Sequence, residues 1–534
     1  MASRLRTSGE KGVTLILGVA SLVFIIPLLG LSIDTAVLYA VKGRLQSSVD
    51  GASLAAARAL NLGQTTAAQS TSAKQNAVNW FYANFPAGAW NTSGTQMDQS
   101  SVNVFDDPNN PHVRNVTVTA STVVPTYFMR WFNINSMTLG ASGNASRRDV
   151  VAMMVLDRSG SMSGSACTSM RTAAKMFTGQ FAAGRDYIGL VSFSDNVYLH
   201  ASPTQSFQTV LGYSNASGSG NGAIDTVVCG GGTSTAQAIS IAYNEIYKVN
   251  LPGALNVIMF ETDGLPNTLT MNFWPSSAGG NALNAGSGCK DQNNKTISGG
   301  GFTTATWNKR PMWTSGWSLG SGSFYPDVPA GMVGGLYADD PGGSNQLRLL
   351  WAYQATSTSD FKANATQITT AAPGCAFASS GGQVVNPAPA DFAWFPTTDV
   401  YGNQLTPSYS YKTVTTTSGH VQDNSWTNYR NAVFNATDYA AYQARTNATL
   451  PVYFFGIGLG GATNPPDYVL MQRMANDPNG DNYNTPVSYL PCAQETGCAT
   501  YSTQPQGTFI FAKDTSDLNR AFLAISSQVL RLSK

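Results

Sequence analysis

From Gly12 to Ile33 no side chain carries a charge, and at about 1.5 Å per residue such a helix reaches across the ~30 Å hydrocarbon layer of a bilayer. The helical pattern continues instead of stopping at a small-residue cleavage site, which predicts a retained spanning anchor over 12–33 and not a removed signal peptide. Beyond it, Leu38, Val41, Leu45, Val49, Ala52, Ala56 and Leu60 recur at steps of three and four. They form an apolar stripe that needs a neighbour, either the rest of its own domain or other subunits of a filament. Residues 73–84 predict a second helix, and the Val- and Thr-rich stretches 101–105, 113–124 and 136–146 predict strands. A long helix beside a small antiparallel sheet, an α+β unit, follows for 34–148.

After residue 148 the pattern changes to long apolar runs. Val150–Leu156 and Leu255–Phe260 read as parallel strands buried on both faces, and Pro451–Leu459 and Gly507–Ala512 as later strands. Helices are predicted at 234–248 and, with Asp514 or Thr515 as cap, at 514–530. The expectation for 149–534 is therefore an α/β domain with a doubly wound, mainly parallel sheet. Residues 266–429 are too long for a connection and predict an insertion with its own packing. It holds Trp274, Trp307, Trp313, Trp317, Trp351, Trp394 and Trp426, seven of the ten tryptophans, among Gly and Asn. These predict a small core under long loops or a sugar- or protein-binding surface.

Composition narrows the function classes. The 534 residues imply about three to four domains by length alone. Charged residues are 11%, the net charge is +1 and there are three histidines, so no basic face exists for a run of phosphates and nucleic acid is excluded as a partner. A hydrophobic content of 43% excludes a disordered chain. Arg4, Arg6 and Lys11 outweigh Glu10, which predicts residues 1–11 in the cytoplasm and the bulk of the chain outside. Six cysteines in an exported chain predict disulfides. No nucleophile and base can be paired, so no enzyme is expected. Asp477-Pro478-Asn479-Gly480-Asp481 reads as an Asn/Gly turn, with a calcium loop as the alternative.

The chemistry-bearing positions lie in three loops. Asp157, Ser159 and Ser161 alternate in Asp157-Arg158-Ser159-Gly160-Ser161. Thr233 ends Gly230-Gly231-Gly232-Thr233, and Asp263 sits in Thr262-Asp263-Gly264. Hard oxygens with few carboxylates suit Mg2+ better than a dedicated Ca2+ cage. Together the loops resemble the metal-ion-dependent adhesion site of von Willebrand factor A-type domains, whose fold is Rossmann-like. That resemblance implies that Ser159, Ser161 and Thr233 bind Mg2+ directly, with Mn2+ or Ca2+ as other ions. It implies that Asp157 and Asp263 hold the ion directly or through water, that a partner Asp or Glu completes the shell, and that all three loops end parallel strands. The bland alternative is that Asp157, Ser159 and Thr233 cap helices. Loops meeting around one ion would bring Cys167 to Cys229, leaving Cys289 with Cys375 and Cys492 with Cys498 among the fifteen connectivities.

The apolar helix, the run Leu45-Gln46-Ser47-Ser48-Val49-Asp50-Gly51-Ala52-Ser53-Leu54-Ala55-Ala56-Ala57 and the final Leu530-Arg531-Leu532-Ser533 resemble TadG-like proteins of Tad (Flp) pilus systems. Gly12-Val13-Thr14-Leu15-Ile16 resembles the processing site of type IV pilins, although Leu17 stands where pilins usually have Glu. The resemblance implies a pilin-like stalk over 34–148 and a bacterial inner-membrane anchor. It also implies pilus subunits as partners of the N-terminal helix, and a tip-located adhesin or, alternatively, a stationary assembly factor. The expected ligand is a surface or host protein with an exposed Asp or Glu, or a glycan bound by the insertion.

Overall fold

The structure, a computed structural model, describes residues 10–194, 197–213, 222–272, 331–339, 346–355, 397–399, 401–407, 410–417, 420–421, 426–461, 465–480 and 503–533. The chain divides into two compact units, Met1–Arg148 with Lys534, and Asp149–Ser533. Two units are fewer than length alone implies.

In the first unit, α1 (Glu10–Ala59) is one continuous helix and α2 (Thr66–Asn84) folds back beside it. α2 starts well before the predicted residue 73, because the Thr65 side chain caps it by accepting from Ala68 N at 3.2 Å. The first two turns of α2 carry a polar sequence with little periodicity to read. The sheet has β1 (Ser93–Gln96), β2 (Val102–Asp106), β3 (Val113–Pro125) and β4 (Ser136–Arg148), with β3 central and every pairing antiparallel. Val41, Leu45, Val49, Ala52, Ala56 and Leu60 are buried against Ala73, Ala77 and Phe81 of α2 and Val116, Val118 and Val124 of β3. The stripe is thus covered by its own domain, which removes it as a filament-facing surface. Contact is close enough that small residues matter. A Cβ on Gly143 of β4 would lie 3.0 Å from the Val49 carbonyl oxygen of α1. The apolar side chains from Ile16 to Ile33 remain largely exposed, on a helix long and apolar enough to cross a membrane.

The second unit is laid on β5 (Val150–Asp157), β6 (Tyr187–Phe193), β7 (Val197–Thr204) and β8 (Leu255–Thr262). Then follow β9 (Thr268–Asn272), β10 (Gly331–Asp339) and β11 (Gln346–Ala355), a short pair β12 (Thr416–Thr417) and β13 (His420–Val421), and finally β14 (Tyr453–Leu459) and β15 (Phe509–Ala512). The main sheet runs β15-β14-β8-β5-β6-β7, parallel except for β7 at the edge. β9, β10 and β11 form a separate antiparallel sheet from residues of the insertion.

Helices cover both faces of the main sheet, and strand alternation sorts the apolar residues between them. Val151, Met153 and Val155 face one core with α5 (Thr235–Val249), α6 (Trp426–Thr446) and α7 (Tyr468–Ala475). Val150, Ala152, Met154 and Leu156 face the other with α3 (Ser165–Thr178), α4 (Phe207–Leu211) and α8 (Leu518–Leu532). Burial on both sides explains the unbroken apolar run of β5. The expected start of the last helix at 514 is corrected to Leu518. Asp514 instead closes a turn by accepting from Ser516 N at 2.9 Å, and Asp517 takes the cap position without a side-chain cap bond. Asp477 likewise closes a turn, accepting from Asn479 N at 2.9 Å and Phe509 N at 2.8 Å, as the Asn/Gly turn reading expects. Trp274, Trp307, Trp313, Trp317 and Trp394 lie outside the described residues, as do the pairs Cys289–Cys375 and Cys492–Cys498.

Candidate metal centre

Parallel strands of a doubly wound sheet deliver their C-terminal loops to one edge, and β5 and β8 do so here. Asp157 is the last residue of β5 and is fully buried. Its Oδ1 accepts from Ser159 N at 2.7 Å, which turns the loop back, and its Oδ2 accepts from Thr262 Oγ1 at 2.5 Å, which joins it to the end of β8. Ser159 Oγ lies 3.0 Å from Ser161 Oγ. Asp263 Oδ1 accepts from Ser161 Oγ at 2.7 Å and from Ser159 Oγ at 3.5 Å. Four of the five candidate residues therefore form one hydrogen-bonded cluster.

Thr233 reaches the same edge by another route. Its loop does not end a parallel strand, contrary to expectation: it follows a 3-10 turn at Ala223–Thr226 and opens α5. Backbone bonds seat it, with Gly160 N donating to Gly231 O at 2.8 Å, Gly230 N to Arg158 O at 2.6 Å and Ser234 N to Ser194 O at 2.9 Å. Asn267 Oδ1 accepts from Thr233 N at 2.7 Å. A methyl built on Gly264 would be 3.8 Å from Ser161 Oγ and 4.0 Å from Thr233 Oγ1, so both hydroxyls border one small space over that glycine. The disulfide Cys167–Cys229, with Cα atoms 6.1 Å apart, ties the start of α3 to this loop. Ser159 occupies the N-cap position of the 3-10 turn Gly160–Met162 without a side-chain cap bond, and α5 is headed by Ser234, not Thr233.

Electrostatically the cluster is under load. Burial, and after it the charge of Asp263, pushes the Asp157 carboxyl up to about 7. Burial also lifts Asp263, against the hydrogen bond from Ser161. Among the described residues no three His, Cys, Asp or Glu side chains form a metal-holding group. An ion here would rely on hydroxyls as well as carboxylates, all hard oxygen donors of the kind Mg2+, Mn2+ and Ca2+ take.

A family model described as von Willebrand factor type A domain matches residues 152–265, the segment that holds all five residues. A second, described as putative Flp pilus-assembly TadE/G-like, matches residues 12–59. Residues 12–59 are thus TadE/G-like, and residues 152–265 are a von Willebrand factor A domain. No curated protein matches it. Among solved structures it is similar to the PilB minor pilin from Streptococcus sanguinis, with 10% identity, 83% of this chain and 80% of that one covered, and a TM-score of 0.29. The von Willebrand domain of the type V pili tip protein Mfa5 from Porphyromonas gingivalis gives 13%, 73%, 98% and 0.31 in the same order. The pilus adhesin SpaC from Lactobacillus rhamnosus GG gives 13%, 81%, 36% and 0.31, so the chain spans about a third of that protein. Neither family description names an enzyme.

Two features of this von Willebrand factor A domain escaped the sequence reading. Glu261, fully buried in β8, has its carboxyl pushed well above the usual range by burial and then by the charges of Asp157 and Asp263. Its signal was an acid directly after the apolar run that ends at Phe260. His200 on the edge strand β7 lies 2.7 Å from Ser192 Oγ and 3.1 Å from Thr226 Oγ1. Burial and then the nearby Arg158 guanidinium push it down to about 4, which leaves it neutral at physiological pH.

Proposed function

We propose that the protein is an envelope-anchored, pilus-associated adhesin whose von Willebrand factor A domain binds partner carboxylates with a divalent cation, Mg2+ before Mn2+ or Ca2+. The observation that carries this reading is the joining of two loops through Ser161 Oγ and Asp263 Oδ1 at 2.7 Å, beside the hydroxyl of Ser159. Von Willebrand factor A domains commonly bind a divalent metal. The donor set fits one. Asp157 and Asp263 are buried acids lifted by burial, and a divalent charge favours their ionised form. Asp157 and Asp263 balance the ion's charge, Ser159, Ser161 and Thr233 supply neutral oxygens, and an acidic side chain of a partner would complete the shell. Bound there, the ion would act as a Lewis acid toward that carboxylate. Asp157, held by Ser159 N and Thr262 Oγ1, and Asp263 would hold the ion directly or through water, and Ser159, Ser161 and Thr233 would hold it directly.

In this reading residues 12–33 span the membrane with 1–11 on the cytoplasmic side, 34–148 form the stalk and 149–534 the head. A head of this size would sit at a filament tip and not repeat along a thin fibre. Leu17, in place of the usual pilin Glu, favours a second reading, a stationary membrane-anchored assembly factor that holds pilus subunits through the same site. Immunogold on sheared filaments and on membranes separates the two. The adhesion reading is tested by attachment of cells carrying the wild-type chain, with EDTA, and with Thr233→Ala. Both treatments should remove most attachment, and attachment that survives both would refute it.

A further inference from the structure

The first unit contains an exposed aromatic cluster that neither the anchor nor the metal site uses. Between β3 and β4 the chain turns through Thr126–Asn135, and a 3-10 turn at Met129–Phe132 forms its tip. This tip carries Tyr127, Trp131, Phe132 and Ile134, which are 43%, 67%, 64% and 46% exposed. So many large apolar side chains on one short turn of a soluble surface are unusual.

Their position along α1 is fixed by direct contacts. The Asp34 carboxylate accepts from Tyr127 N at 2.9 Å, Phe128 N at 2.9 Å and Met129 N at 2.7 Å. Burial pushes this carboxyl up, but the three backbone donors and Arg130 outweigh it and hold it below its ordinary value, so it stays ionised. One turn lower, a Cβ on Gly30 would lie 2.4 Å from the Phe128 ring, so only glycine admits the ring against the helix. The tip is therefore held at the level of residues 30–34. That is the last turn of the apolar run, within about 6 Å of its end, and the interfacial layer outside the hydrocarbon is itself roughly 5–7 Å thick on each side. Trp and Tyr settle in that layer because it solvates both the ring and its polar group.

We propose that the β3–β4 tip is a second membrane contact, inserting Tyr127, Trp131 and Phe132 into the lipid interface beside α1, with Asp34 as the clamp that sets its depth. The occupant is the bilayer itself, because the tip shares its level with a helix end that is continuous with the spanning segment. This inference rests on the reading of 12–33 as membrane-spanning. Two contacts would fix the rotation and tilt of α1, which a single helix leaves free.

The test uses the full chain reconstituted in phosphatidylcholine–phosphatidylglycerol vesicles, as wild type and as Trp131→Phe. The difference between their emission spectra isolates Trp131 from the other nine tryptophans. That difference should be blue-shifted, and most of it should be lost with lipids brominated near the headgroup end of the acyl chain, less with bromine near the methyl end. Asp34→Ala should free the tip and reduce the shallow quenching. A water-like, unquenched difference spectrum in a chain that resists alkaline carbonate extraction would overturn the contact while leaving the spanning helix intact. Release of the chain by carbonate would overturn both. Unchanged quenching in Asp34→Ala would overturn the role of Asp34 as the clamp.

Discussion

If Asp157 is both a buried acid and a metal ligand, stability must depend jointly on pH and on Mg2+. Its folded-state value of about 7 lies above the ordinary 3.8, so the metal-free domain binds the proton more tightly than the unfolded chain does. The stabilising contribution is fully present below about pH 4 and is lost as pH rises through about 7, a span worth about 4 kcal/mol for one fully buried group. Mg2+ competes with that proton. Above pH 7, Mg2+ at about 100 times its dissociation constant adds about 2.7 kcal/mol, roughly 5 °C in melting temperature for a domain of this size. Two pH units below the Asp157 value, proton competition weakens binding about 100-fold, and the same Mg2+ leaves under about 0.5 kcal/mol. The assay is thermal or urea unfolding of the full chain in EDTA and in millimolar Mg2+, at about pH 5 and about pH 8. Asp157→Asn should flatten this part of the pH profile and remove the Mg2+ response. An Mg2+ shift equal at the two pH values, or none at the higher one, would refute the coupling of this carboxylate to the ion.

Removing the Cys167–Cys229 crosslink with Cys→Ser at both positions frees a loop with a sequence separation of 62. Chain entropy then predicts about 4 kcal/mol lost from the second unit, and a loss under about 1 kcal/mol in urea unfolding would contradict it. Phe81→Ala should destabilise the first unit by about 3–5 kcal/mol, since the ring is fully buried between α1 and α2. Metal binding by the second unit should be unchanged in that variant, as titration would show. Gly143→Val should lower the melting temperature of the first unit, because its Cβ would meet the Val49 carbonyl oxygen at 3.0 Å and Asp50 Oδ1 at 2.9 Å. An unshifted melting transition would mean that α1 is not seated on β4 as described.

Legibility in the sequence followed burial. Val150–Leu156 was readable because a strand buried on both faces needs an apolar run, and Leu255–Phe260 because Asn256 alone interrupts its run. The stripe from Val41 to Leu60 was readable as a stripe, but its partner was not, since Ala73, Ala77 and Phe81 are spread over a polar α2 whose first two turns show little periodicity. β7 went unread because an edge strand with His200 and Pro203 has no such run. In the site, alternation identified Asp157, Ser159 and Ser161 as convergent, and the clustering of Asp263 with them is now visible in distances. What spacing did not carry was the route of the Thr233 loop, which the backbone bonds of Gly160, Gly230 and Ser234 determine. Glu261 was passed over because it stands between the apolar run that ends at Phe260 and the loop Thr262-Asp263-Gly264 that carries Asp263.

The most direct test of the metal centre is calorimetric titration of the full-length protein with Mg2+ or Mn2+, beside Asp157→Ala and Thr233→Ala. The wild type should bind one ion. Asp157→Ala should bind none while its circular dichroism stays that of the folded chain, and Thr233→Ala should bind at least about tenfold more weakly, about 1.4 kcal/mol. Unchanged binding in Asp157→Ala, or no binding by the wild type, would contradict the assignment of these loops as a metal site.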